Sequence, residues 1–174
     1  MPLYQLGDKR PSLGQDVYIA EGARVIGDVT LGDGAGIWFN VTLRGDYMPI
    51  RIGARTNIQD NSVVHITAGM HAATVGHDVT VGHSAIIHAC TVGNFCLIGM
   101  GSTILDGAQI GDESFVAAGS LVTPGTVIPP RSFVLGRPAK VVRPVNDREI
   151  LWIQGSAVSY ASYAREFMAT CKPL

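Results

Sequence analysis

Aliphatic side chains return at every sixth position over most of this chain: Ile19, Val25, Leu31, Ile37 and Leu43, then Ile52, Ile58 and Val64, then Val75, Val81 and Ile87, then Val92, Ile98, Ile104, Ile110, Val116, Val122 and Ile128. Four positions after these anchors stands a small or β-branched residue: Ala23, Val29, Ala35, Val41, Thr56, Ser62, Ala68, Val79, Ala85, Thr91, Cys96, Ser102, Ala108, Ser114, Ser120, Thr126 and Ser132, with Tyr47 the exception. Side chains alternate sides along a strand, so an anchor and the small residue two places before the next anchor share the inward face. Three such hexads close one coil of a triangular prism, a parallel β-helix.

The step departs from six at Leu43 to Ile52 (nine), Val64 to Val75 (eleven) and Ile87 to Val92 (five). If the surplus residues bulge at corners, counting hexads assigns each anchor to a face. Leu43, Val64 and Ile87 share one face, called A. Ile52, Val75 and Val92 fall on B, and Ile37, Ile58, Val81 and Ile98 on C. The pattern stops near Pro144, where Asn146 or Asp147 can cap a helix carrying Ile150, Leu151, Ile153, Ala157, Tyr160, Ala161, Ala164 and Phe167. The expected organisation is an all-β hexapeptide-repeat domain over residues 1–145 and a helix over 146–174, packed on the prism and protecting an exposed edge of the coil stack.

Composition adds exclusions. The chain has 174 residues, a net charge of -1 and only 16% charged residues, with no basic or acidic run, which argues against nucleic acid or an anionic membrane as partner. No apolar run approaches the ~20 residues of a membrane span. Met1 to Arg10 lacks the apolar segment of a signal peptide, and Cys90, Cys96 and Cys171 form no CxxC pair, so a reducing cytoplasm is expected.

Candidate chemistry gathers on the outward positions. The residue after each face A anchor gives the column Ile26, Arg44, His65, His88, Leu105 and Thr123, which puts His65 directly beside His88. Strands lie ~4.8 Å apart, so two stacked imidazoles can share one metal at the ~2.0–2.1 Å of a zinc–nitrogen bond. On face C, two places after the anchor, come Phe39, Asp60, His83 and Met100, with Gln59 beside Asp60. His83 precedes His88 by ~16 Å of extended chain, too far for one metal within a subunit. Three prisms around a threefold axis would instead bring face C of one chain against face A of the next, so the pattern predicts a homotrimer with His65 and His88 from one chain and His83 from its neighbour. His77 reads as a solvated surface residue, and His71 lies in the eleven-residue step without a positional partner.

Arg44-Gly45-Asp46, then Asn57-Ile58-Gln59-Asp60-Asn61-Ser62-Val63-Val64-His65, then Gly82-His83 and Ile87-His88-Ala89-Cys90 resemble the motifs of gamma-class carbonic anhydrases, over about residues 10–145. The resemblance implies a left-handed β-helix, a homotrimer, and zinc, or else iron or cobalt, held by His65, His83 and His88. It implies an intersubunit ion pair between Arg44 and Asp46. It also implies reversible hydration of carbon dioxide to bicarbonate by a metal-bound hydroxide, the metal lowering the pKa of its water to ~7. Gln59 and Asp60 would act beside that hydroxide, with Tyr160, or Tyr163, near the metal and Phe39, Met100 and Leu105 as an apolar lining.

Fast members carry glutamates for proton transfer, whereas the matching stretches here read Asp46-Tyr47-Met48 and Thr67-Ala68-Gly69-Met70-His71. His71 is the candidate shuttle, against the plainer reading of an exposed bystander. Two other functions fit the same scaffold: a coenzyme A-dependent acyltransferase or thioesterase, which needs a histidine free to act as base, and a non-catalytic trimeric scaffold that binds a partner and retains the metal.

Overall fold

The computed structural model describes residues 2–173; Met1 and Leu174, the ends of the two expected spans, lie outside them. The chain winds into a left-handed parallel β-helix of about seven coils, closed by one helix, Asp147–Thr170. Face C stacks the short strands Tyr18–Ile19, Gly36–Ile37, Asn57–Ile58, Thr80–Val81, Leu97–Ile98, Phe115–Val116 and Ser132–Gly136, each hydrogen-bonded in parallel to the next. Faces A and B are joined by two long strands, Arg24–Leu31 and Thr42–Ile52, which turn a corner without breaking.

The anchors stack as the six-residue step requires. Val25, Leu43, Val64, Ile87, Ile104 and Val122 lie one above another on face A, each fully buried. Burying one such side chain stabilises by about 1.5–3 kcal/mol. This repeated column is the core, and the small residues beside it leave room for three faces to meet. At the corner after face B, Gly32, Gly53, Gly76 and Gly93 stand in successive coils, Gly32, Gly53 and Gly76 each facing the next. A methyl group at Gly53 would sit 2.4 Å from the carbonyl carbon of Gly76, so only a bare backbone packs there.

Two inward assignments fail where the step is irregular. Ala68 is exposed, and its slot is filled by Ala73, which pairs with Ile50 immediately before the face B anchors. The eleven-residue step holds a hairpin closed by Thr67 and His71, and the small inward residue keeps its distance to the anchor that follows, not to the one before. For the same reason Thr91 points outward and Cys90, 2% exposed, takes its slot in the five-residue step.

The helix begins at Asn146, whose side chain accepts from the Glu149 N–H while Glu149 accepts from the Asn146 N–H. It runs back along face C instead of shielding an end of the stack. Ile153 packs with Leu97 and Phe115, and further on Ala164, Tyr160 and Phe167 meet Tyr18 and Trp38. The expected protection of the coil edge falls to a different element, the strand Ala139–Pro144, which folds back antiparallel on Ser132–Gly136. No helix among the described residues is long and apolar enough to cross a membrane.

Candidate metal centre

His65 and His88 occupy one register position on adjacent parallel strands, with Arg44 a coil away beside His65. Strand stacking forces the rings together, their centroids 5.2 Å apart. His65 Nδ1 faces His88 Nε2 at 3.2 Å. The outer nitrogens are already taken: His65 Nε2 lies 3.3 Å from Asp46 Oδ1, and His88 Nδ1 lies 3.0 Å from Asp106 Oδ2. A carboxylate only accepts, so each outer nitrogen carries the proton of its neutral ring and the two inner nitrogens present lone pairs to each other. Two lone pairs at that separation repel unless a cation lies between them. Bonds of ~2.05 Å at a tetrahedral angle would hold two nitrogens about 3.3 Å apart. The donor set and its spacing therefore fit zinc.

Electrostatics keep His65 available. Burial and then the Arg44 charge lower the pKa of His65, so the ring is neutral near pH 7, as a ligand must be. Burial alone would raise the Asp46 carboxyl. The Tyr47 N–H, donating at 3.0 Å, and the charges of Arg44 and His65 hold it below the ordinary value instead. Arg44 reaches Asp46 within one chain, and Lys9 Nζ donates to the Asp46 carbonyl at 2.5 Å, so this acid is fixed from several sides.

The second group lies on face C. His83 Nδ1 is 2.8 Å from Asp60 Oδ2, one coil away, which leaves Nε2 free at a half-open position. Gln59 is buried, its Nε2 donating to Asn57 Oδ1 at 3.2 Å. Asn57 donates to Thr80, which donates to Ser156 of the helix, so a chain of hydrogen bonds runs from Gln59 to the helix. A cavity of about 560 Å³ opens here, lined by Gln59, His83, Met100, Phe115, Trp152 and Tyr160. Burial, followed by the charges of Asp60 and Tyr163, raises the Tyr160 hydroxyl pKa, so it stays protonated.

The structure locates the other expected residues. Tyr160 lines the cavity, while Tyr163 packs behind it with ring centroids 5.6 Å apart. Met100 belongs to the lining, but Phe39 turns away to pack against Phe167, and Leu105 stays on face A. His71 is exposed, at the hairpin base beside Gly107. His77 binds Asp78 at 2.7 Å and lies edge-on to Phe95. The two histidine groups belong to different sheets, and among the described residues no three His, Cys, Asp or Glu side chains of one chain converge to hold a metal. Asp106 and the Asn57–Thr80–Ser156 chain escaped the sequence reading. Asp106 follows its anchor Ile104 by two places, one column over from the histidines, and an acid in that column was the available signal.

The family profile for bacterial transferase hexapeptide repeats matches residues 89–124. A hexapeptide transferase family protein from Anaplasma phagocytophilum superposes with a TM-score of 0.88 at 43% identity, over 95% of this chain and 97% of that one. A Bacillus cereus protein described as an acetyltransferase candidate gives 0.94 at 38% identity, over 96% of each chain. The chain belongs to the hexapeptide-repeat family. Within that family its sequence stands with the gamma carbonic anhydrases: the mitochondrial gamma carbonic anhydrase 1 of Arabidopsis thaliana is 42% identical over 178 aligned positions, 99% of this chain. The aligned stretches span from 23% to 65% of the lengths of the first curated relatives.

Proposed function

We propose that the chain is a carbonic anhydrase-like lyase that hydrates carbon dioxide to bicarbonate as a homotrimer. The observation that carries this is the registered pair His65 and His88, whose outer nitrogens are occupied by Asp46 and Asp106 and whose inner nitrogens converge at 3.2 Å. His83 of a neighbouring chain supplies the third nitrogen, its free Nε2 left by the bond to Asp60. Zinc is the first choice for such a set, with iron or cobalt as alternatives, and when bound it acidifies water to a pKa of ~7.

The chain's own residues then divide the work. The carboxylates fix the tautomers of the three histidines. Gln59, its Nε2 held by Asn57 at the cavity wall, accepts a hydrogen bond through Oε1 and orients what enters. Met100, Phe115 and Trp152 offer an uncharged substrate an apolar approach. Tyr160 stays protonated and donates from the helix side. With no glutamate at the matching positions, proton export falls to His71 or to buffer, which makes turnover slow. All three thiols are free, which suits a reducing compartment such as the cytoplasm; the plant relative is named as mitochondrial.

A second reading, acyl transfer, draws on the cavity of about 560 Å³, far larger than carbon dioxide needs, and on the Bacillus cereus likeness. There His83, oriented by Asp60, would serve as base. Metal analysis of protein purified without added metal, coupled to a hydration assay on the same sample, separates the two. One transition metal per chain with measurable hydration supports the lyase. A metal-free protein that shows no hydration after loading with zinc, iron or cobalt refutes it.

A further inference from the structure

Asp106 lies one column over from the face A histidines, yet it contacts His88 directly. Its Oδ2 lies 3.0 Å from His88 Nδ1, while its Oδ1 accepts from the hydroxyl of Thr67. Thr67 closes the hairpin of the eleven-residue step by pairing with His71. The hairpin also passes close to the same turn, since a methyl group on Gly107 would lie 3.3 Å from His71 Nε2. The turn carrying Asp106 is thus held between the His88 strand and the hairpin. Asp106 is about one-third exposed, so without the Thr67 bond its carboxylate would be free to rotate into water.

We propose that Asp106, clamped by Thr67 at the base of the 67–71 hairpin, is the positioning residue that holds His88 in the Nδ1–H tautomer and so aims its Nε2 lone pair at His65 Nδ1. This rests on the metal-site reading above. The insertion then has a structural purpose beyond carrying His71. It reaches over from the His65 strand to lock the acid behind the other histidine, so that both rings of the pair are oriented through one corner of the prism.

The test uses full-length protein stripped of metal and titrated with cobalt against a chromophoric chelator, together with nitrogen NMR of the imidazoles. Asp106→Ala should weaken cobalt binding about 10- to 100-fold, the usual cost of removing a carboxylate behind a ligating histidine. His88 in the metal-free variant should leave the Nδ1–H tautomer. Asp106→Asn keeps an acceptor without the charge and should fall between. Thr67→Val should show a smaller loss of the same kind, and Thr67→Ser, which keeps the hydroxyl, should match the parent protein. Urea unfolding of the metal-free proteins checks that folding is intact; if Asp106→Ala fails there, the contrast of Thr67→Val with Thr67→Ser decides. Unchanged cobalt affinity and an unchanged His88 tautomer in Asp106→Ala, or equal effects of the two Thr67 variants, overturn the proposal. A parent protein that binds no cobalt sinks the metal-site reading and takes this proposal with it.

Discussion

If each metal is shared between chains, mixing defective subunits must rebuild a calculable fraction of the sites. Take His83→Ala and His88→Ala proteins, each expected to bind no metal because one of three nitrogens is gone. Each interface joins the His65 and His88 of one chain to the His83 of the next. After complete exchange at equal amounts, an interface is whole when the first chain is the His83→Ala variant and the second the His88→Ala variant. With random assortment that happens about one-half times one-half of the time, so about one-quarter of sites recover. The double variant His83→Ala/His88→Ala mixed equally with unmodified protein should also keep about one-quarter, whereas sites within single chains would keep about one-half. The assay is metal content of re-isolated trimers, with exchange proven by mass-tagged subunits. Zero recovery from the single variants despite proven exchange, with one-half retained in the second mixture, would refute the shared site.

Gly53→Ala should destabilise by at least about 1–3 kcal/mol, because its methyl group meets backbone at 2.4 Å, while Gly155→Ala, exposed in the helix with nothing within 4 Å, should stabilise by about 1 kcal/mol. Paired thermal unfolding curves check both, and equal melting temperatures for the two variants would contradict the packing at the corner. Burial alone would raise the Asp78 carboxyl, but Arg55, donating at 2.7 and 2.6 Å, and His77 hold it below the ordinary value. A depressed folded-state value means stability that is present above the unfolded value of ~3.9 and lost as pH falls through the folded one. Urea titrations should therefore show Asp78→Asn less stable at pH 7, the gap closing in acid; a gap independent of pH would count against the ion pair. Burial pushes Cys90 and Cys96 up to about 12, so a thiol reagent should modify Cys171 alone in the folded chain and all three cysteines in denaturant. Prompt labelling of Cys90 would show that its inward slot is open.

The prism and the pairing of His65 with His88 were legible because the six-residue period is a geometric statement: phase, once counted, places side chains in columns whatever the loops do. The count failed at Ala68 and Thr91, where phase resumes from the following anchor and the loop absorbs the difference. The capped helix start at Asn146 was legible from a local hydrogen-bonding motif. Its path was not, because the direction of a helix depends on the aromatic seat formed by Tyr18 and Trp38, which receives Phe167 of the helix from far along the sequence. Asp106 was missed for a related reason. Its role arises from Thr67, in a hairpin that breaks the period.

A stack of coils has no natural end, since each coil offers the next the same edge. The helix supplies a measure. Its 24 residues extend about 36 Å, against about 34 Å for seven coils at ~4.8 Å each. Aromatic seats near the first coils and apolar seats near the last are engaged by the same rod. Adding or deleting a coil would shift one set by ~4.8 Å, which is not a whole helical pitch of ~5.4 Å, and would turn the rod's apolar side off its seat. The helix thus matches the stack in length: one rod ties the first coils to the last, with Ser156 level with Thr80 and Tyr160 at the cavity between them.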